Sequence, residues 1–186
     1  MNITVYCGAS EGLNNIYREK TIKLGQWIAK KNYNLVYGGG KVGLMGAIAD
    51  TVILNEGKVI GIIPKFLEER EIAHTGISEL ISVDNMSERK YQMIELGDAF
   101  IALPGGPGTL EEITEVISWA RIGKNNSPCI LYNINGYFDN LRAMYDGMVS
   151  EGFLTQDDRD KILFSTDIVE IEDFIMNYKA PKIRRY

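Results

Sequence analysis

The segment Pro104-Gly105-Gly106-Pro107-Gly108-Thr109-Leu110-Glu111-Glu112 gathers small residues, a hydroxyl and two adjacent carboxylates. It leaves an apolar run, Ala99 to Leu103, and enters a stretch of helical period. The first N–H groups of a helix have no intrahelical partner, and the macrodipole favours an anion beside them. Gly105, Gly106 and Gly108 keep side chains out of the way, and Thr109 offers a hydroxyl. A phosphate fits such a cradle. The plainer alternative is a tight turn capped by Thr109, but these glycines and prolines exceed what a cap needs. Glu111 reads as an ordinary dipole partner in a first turn. Glu112, one turn from a bound phosphate, would face the sugar of a nucleoside monophosphate. There a carboxylate can activate water or stabilise an oxocarbenium-like centre during glycosidic cleavage.

A second glycine loop, Gly38-Gly39-Gly40-Lys41-Val42-Gly43, matches the spacing G-x-G-x-x-G. A dinucleotide site follows that motif with an acid at the end of the next strand, to hold the ribose. Here the next strand runs Val59-Ile60-Gly61-Ile62-Ile63 into Pro64, with no acid at its end. The glycines also follow the second strand, not the first. Nor is this a P-loop, because Val42 follows Lys41 where Ser or Thr would hold magnesium. A third small-residue loop, Gly8-Ala9-Ser10, follows the first strand. Three such loops on one sheet edge point to a shared pocket, since small residues let a ligand approach the backbone.

Arg89-Lys90 opens a helix, where basic residues oppose the dipole. Either an anion in the pocket accounts for the pair, with Arg89 making planar bidentate contacts, or the pair is a solvated surface feature. Arg70-Glu71 is similar, and patterning alone gives Glu71 no role beyond a surface charge. His74, the only histidine, reads as a loop residue.

The elements that must position these residues alternate in type. Strands are expected at Ile3 to Tyr6, Leu35 to Tyr37, Val59 to Ile63, Leu80 to Val83, Ala99 to Leu103 and Cys129 to Tyr132. A first helix carries Ile16, Leu24, Trp27 and Ile28 inward. Further helices are expected at Leu44 to Asn55, Ser87 to Leu96, Leu110 to Ile122, Leu141 to Val149 and Ile168 to Tyr178. Strands joined by crossover helices imply an α/β fold, a mostly parallel sheet covered on both faces. Ligands of such sheets gather at the carboxyl ends of strands, near a topological switch point. No repeat or linker divides the 186 residues, so one domain is expected.

The chain is 45% hydrophobic and 24% charged, which suits a packed core and argues against wholesale disorder. Its net charge of −5 speaks against non-specific nucleic-acid binding. The basic end, Lys179 to Tyr186, reads as a frayed tail. Two cysteines, Cys7 and Cys129, lie in or beside apolar runs and read as buried thiols in a reducing compartment. No Cys-x-x-Cys or histidine cluster suggests a metal. The start, Met1-Asn2-Ile3-Thr4-Val5-Tyr6, lacks the basic and long apolar regions of a signal peptide, and no apolar stretch would span a bilayer. A soluble, cytoplasmic protein is expected.

Taken together, Tyr37-Gly38-Gly39-Gly40-x-x-Gly43-Leu44-Met45-Gly46, Arg89-Lys90 and Pro104-Gly105-Gly106-x-Gly108-Thr109-x-x-Glu112 resemble the Lonely Guy family. Its members are cytokinin riboside 5'-monophosphate phosphoribohydrolases. Gly136-Tyr137-Phe138 and Glu151-Gly152-Phe153 extend the likeness. The resemblance implies a Rossmann-like homodimer with its site near the interface. It also implies hydrolysis of a nucleoside monophosphate to free base and ribose 5-phosphate, with no metal or organic cofactor. By resemblance, Arg89 and Glu112 match the catalytic arginine and glutamate, and Lys90 accompanies the arginine. Gly106 to Glu112, including Leu110 and Glu111, matches the phosphate-gripping loop. Ser10, Met45, Glu71 and Ser118 fall at substrate-contacting positions. The departures are Ala9 where a serine is frequent, Ser118 for threonine and Pro107 for an aromatic, and they bear on base selectivity. Lysine decarboxylation, a label this family often carries, has no support, because no lysine is an evident Schiff-base partner.

Two other functional classes stay open on the sequence. A carrier or sensor would hold a nucleotide without turning it over, and a structural oligomer would show no saturable nucleotide binding. The substrate could be plain AMP or an N6-prenylated nucleotide, and pocket depth decides between them.

Overall fold

Short apolar runs, rich in β-branched and aromatic residues, pair as parallel strands in the computed structural model, which describes residues 1–68 and 72–182. In chain order the elements are β1 (Asn2–Tyr6), α1 (Ile16–Lys30), β2 (Asn34–Tyr37), α2 (Gly43–Leu54), β3 (Val59–Pro64), α3 (Lys65–Glu68), β4 (Glu79–Val83) and α4 (Met86–Leu96). Then follow β5 (Ala99–Ala102), α5 (Pro107–Arg121), β6 (Cys129–Tyr132), α6 (Asp139–Ser150), α7 (Gln156–Arg159), β7 (Ile162–Ser165) and α8 (Ile168–Asn177). The strands form one sheet in the order β4-β3-β2-β1-β5-β6-β7. Every pairing in it is parallel.

That order has a functional consequence. From β1 the chain builds outward through β2, β3 and β4, then crosses back to place β5 on the other side of β1. The direction of winding reverses between β1 and β5, so their exit loops diverge to opposite faces and leave a crevice. Tyr6 and Ala102 are register partners at its rim.

Side-chain alternation divides the core between the two faces. Ile3, Val5, Leu35, Tyr37, Ala99 and Ile101 pack in the layer that includes α1, α2 and α8. Tyr6, Val36, Ile62, Phe100, Ala102 and Leu131 pack in the layer that includes α4, α5 and α6. Strands buried on both faces need continuous apolar runs, which is why β3 reads Val-Ile-Gly-Ile-Ile-Pro and is buried throughout. Ile101 has no exposed surface, and its truncation to alanine would cost roughly 2–5 kcal/mol.

The sheet exceeds the sequence reading by one strand. Ile162–Ser165 pairs with β6 as β7, an edge strand too short to stand out between α7 and α8. The helix after β5 also begins at Pro107, ahead of the expected Leu110. Proline suits a first helical position, where its missing N–H has no partner to lose.

Candidate active site

Three glycine loops meet at the carboxyl edge of the sheet. Gly8 N–H donates to the Pro104 carbonyl at 3.1 Å, and Leu44 N–H donates to the Gly8 carbonyl at 3.1 Å. The loop after β1 therefore ties α2 to the loop after β5. Contact here is too close for a side chain. A Cβ on Gly105 would lie 2.9 Å from Gly8 N, and one on Gly43 would lie 2.3 Å from the Ala9 carbonyl carbon. Gly106 and Gly108 differ, because the space above their Cα atoms is open to 4 Å.

That open space lies at the start of α5. Its N-cap, Gly106, supplies no side-chain cap, and the first intrahelical bond runs from Leu110 N–H to the Gly106 carbonyl at 3.2 Å. The Gly108 and Thr109 N–H groups stand ahead of that bond, so an anion can take them. Tyr137 buttresses the loop from behind by donating its hydroxyl to the Gly105 carbonyl at 2.5 Å.

A cavity of about 280 Å³ opens at this point. Gly106, Gly108, Thr109 and Glu112 form its α5 side, while Arg89 faces them from α4. Arg89 is only 5% exposed, so the surface-pair reading of this arginine is set aside. Its place follows from local sequence. Asn85 caps α4 by accepting from Glu88 N–H at 2.9 Å, and the Glu88 carboxylate accepts from Asp84 N–H at 3.0 Å. This reciprocal cap fixes the first turn, from which Arg89 Nη2 reaches the Gly38 carbonyl at 2.7 Å.

The remaining walls are apolar. Met45 on α2, Leu67 on α3, and Met86 and Met93 on α4 border the cavity, with Tyr6 below. Met86 and Met93 stand three residues before and four after Arg89, so they share its helix face. Neither these two nor Tyr6 was singled out by motif. The spacing on α4 was the available signal for the methionines. Burial holds the Tyr6 phenol proton well above its ordinary pKa, and the charges of Glu112, Cys129 and Glu115 add to this.

Other residues named from the sequence lie elsewhere. Lys90 sits between α4 and α5, within 2.8 Å of Glu111 and 3.1 Å of Glu115, and does not line the cavity. Its hydrogen bond to Glu111 is the main cause of a raised Lys90 pKa. Gly39 and Gly40 are used structurally. The Gly39 carbonyl accepts from His74 N–H at 2.9 Å, and Gly40 bridges Ala73. His74 is buried with Nε2 2.9 Å from Asp50, as a loop anchor away from the cavity. Ser10 is exposed in the first loop, and Leu110 is exposed on α5. Ser118 lies two turns beyond Glu112 and borders a different cavity, shared with Cys129 and Tyr145. Glu71 falls outside the described residues. Among the described residues no cluster of His, Cys, Asp and Glu could hold a metal, and no helix is long and apolar enough to cross a membrane.

Comparison with known proteins finds relatives along most of the chain. The profile of a family described as "Possible lysine decarboxylase" matches residues 45–174. A cytokinin riboside 5'-monophosphate phosphoribohydrolase of Oryza sativa subsp. japonica is 40% identical over 183 residues, covering 96% of this chain and 75% of its own. One from Rhodococcoides fascians is 44% identical over 168 residues, covering 90% and 85% respectively. Among solved structures, a molybdenum cofactor carrier protein of Chlamydomonas reinhardtii superposes with a TM-score of 0.72 at 17% identity, over 95% of this chain and 98% of its own. At that identity the last likeness speaks for the fold alone.

Proposed function

The chain belongs to the Lonely Guy family of cytokinin riboside 5'-monophosphate phosphoribohydrolases, and on that premise we propose that its cavity hydrolyses the N-glycosidic bond of a purine nucleoside 5'-monophosphate. The products are the free base and ribose 5-phosphate. One observation carries the reading. Glu112 and Arg89 line one cavity whose α5 side is an uncapped helix start.

In this reading the phosphate takes the N–H groups of Gly108 and Thr109, where dipole and unspent donors favour it. The ribose then lies over the next turn, beside Glu112, whose carboxylate activates the attacking water and balances positive charge growing at C1'. Arg89, held by Gly38, supplies fixed positive charge on the facing wall. Met45, Leu67, Met86 and Met93 enclose the base, and their adaptable side chains suit an apolar N6 substituent beside plain adenine. Leu110, Tyr137 and Met144, exposed beside the phosphate loop, suit burial against a second copy of the chain. Two buried cysteine thiols fit a reducing, cytoplasmic setting.

The test is base release from AMP and from isopentenyladenosine monophosphate, followed by chromatography. Wild-type protein releases base and ribose 5-phosphate, and Glu112→Gln loses on the order of 10³-fold in kcat. A wild-type protein that releases no base from any purine monophosphate overturns the proposal.

A further inference from the structure

Tyr6 is the last residue of β1 and stands at the crevice where the sheet reverses. It is 1% exposed and borders the cavity that Glu112 also borders. Its ring is clamped by a parallel stack on Phe100, with centroids 6.4 Å apart and planes 7° from parallel. The phenol is thus buried at the cavity edge and packed on Phe100.

Its hydroxyl makes no hydrogen bond to any described residue. Tyrosine hydroxyls inside a fold ordinarily find a hydrogen-bond partner. The cavity is the remaining source of a partner. Burial is the main cause that holds the phenol proton on, and the charges of Glu112, Cys129 and Glu115 add to it. A water in the cavity can join Tyr6 to Glu112, and a confined water is stable only with at least two polar partners. These two groups supply them.

We propose that Tyr6 is a second holder of the hydrolytic water, fixing it between its hydroxyl and the Glu112 carboxylate for attack on C1'. The inference rests on the glycosidase reading of the site. In the step, the water oxygen bonds to C1' as the C1'–N bond breaks, and its electron pair leaves with the base. The proton lost by water passes to Glu112 and from its carboxyl, by way of water, to a ring nitrogen of the leaving base, so Glu112 returns to its carboxylate and the count closes. Tyr6 keeps its own proton throughout and acts by orientation alone.

Tyr6→Phe removes one oxygen and keeps the stack on Phe100. The measurement is steady-state base release from AMP, the melting temperature, and the partition of ribosyl product between water and added methanol. The expected result is a kcat lowered about ten-fold, with KM within about two-fold of wild type and melting unchanged. The methanol-to-water product ratio rises, because the site no longer favours a water held at two points. An unchanged kcat with an unchanged product ratio overturns the proposal. So does a higher KM at constant kcat, which assigns the hydroxyl to a substrate contact, and so does a kcat that falls only in step with melting. An inactive wild-type protein sinks the glycosidase reading itself, whereas an active wild type with a fully active Tyr6→Phe variant sinks only the role of Tyr6.

Discussion

Arg89 and Gly38 are complementary at atomic contact: the guanidinium donates to the Gly38 carbonyl at 2.7 Å, and a Cβ on Gly38 would lie 2.0 Å from the same Nη2. The glycine is there because the arginine crosses over it. Gly38→Ala is thus expected to push Arg89 off its wall without touching Glu112. Activity toward AMP should fall by about 10²-fold, as misplacement of a site group by an ångström can cost that much. Arg89→Ala should match it in kcat/KM. A Gly38→Ala variant with more than half of wild-type activity would show that the guanidinium position does not matter.

Lys90 ties α4 to α5, the helices that carry Arg89 and Glu112. Its side chain is 16% exposed and that of Glu115 29%, so part of this pairing is shielded from water. Lys90→Met leaves the Glu115 carboxylate without its counter-ion, at a cost of about 1 kcal/mol after solvent screening. Melting should fall by about 2–4 °C. Glu115→Gln in the Lys90→Met background should restore most of the loss, because the uncompensated charge is gone. Equal melting of the single and double variants would argue against the strut.

Much of this arrangement is legible in the amino-acid sequence. The glycine loops and the Arg89-Lys90 pair stand out because turn chemistry and charge are local properties of the chain. The parallel sheet is legible because strands covered on both faces must be apolar throughout, as β3 is. What sequence hides is convergence between distant elements. Tyr6 looks like any strand aromatic until β5 is laid beside β1, and Met93 looks like core until Arg89 is found on the same helix face. β7 is hidden for a related reason. Four residues at a sheet edge, half-buried at the middle two, carry too little pattern to declare a strand.

Alkaline pH should weaken the fold through its buried phenols and thiol. Burial pushes Tyr132, Tyr145 and Cys129 up to about 12. Ordinary values are about 10 for tyrosine and about 8.5 for cysteine. Each group thus stays protonated in the fold at a pH where the unfolded chain releases its proton. Their contribution is complete below the unfolded values and is lost as pH climbs through the folded ones. Melting temperature should be flat to about pH 8.5 and fall steadily from about 9 to 12. Tyr145→Phe, which cannot ionise, should lose less across the same range. Calorimetry in matched ionic strength decides it, and parallel curves for both proteins would remove Tyr145 from the cause.

The Tyr137 hydroxyl, by donating to the Gly105 carbonyl at 2.5 Å, fixes the loop that offers Gly108 and Thr109 N–H groups to a phosphate. Its ring is held edge-on between Tyr17 and Phe138, so Tyr137→Phe keeps the packing and removes only the bond. Loosening the cradle should weaken what binds there and leave the glycosidic chemistry nearly intact. The expected signature is a KM for AMP raised about five-fold, with kcat within about two-fold. Adenosine, which lacks the phosphate, supplies the control. Any residual activity toward it should be equal in the two proteins, because the loop has nothing to grip. If Tyr137→Phe lowers activity on adenosine and AMP by the same factor, the hydroxyl acts on the whole site, and the link from Tyr137 through Gly105 to phosphate binding fails.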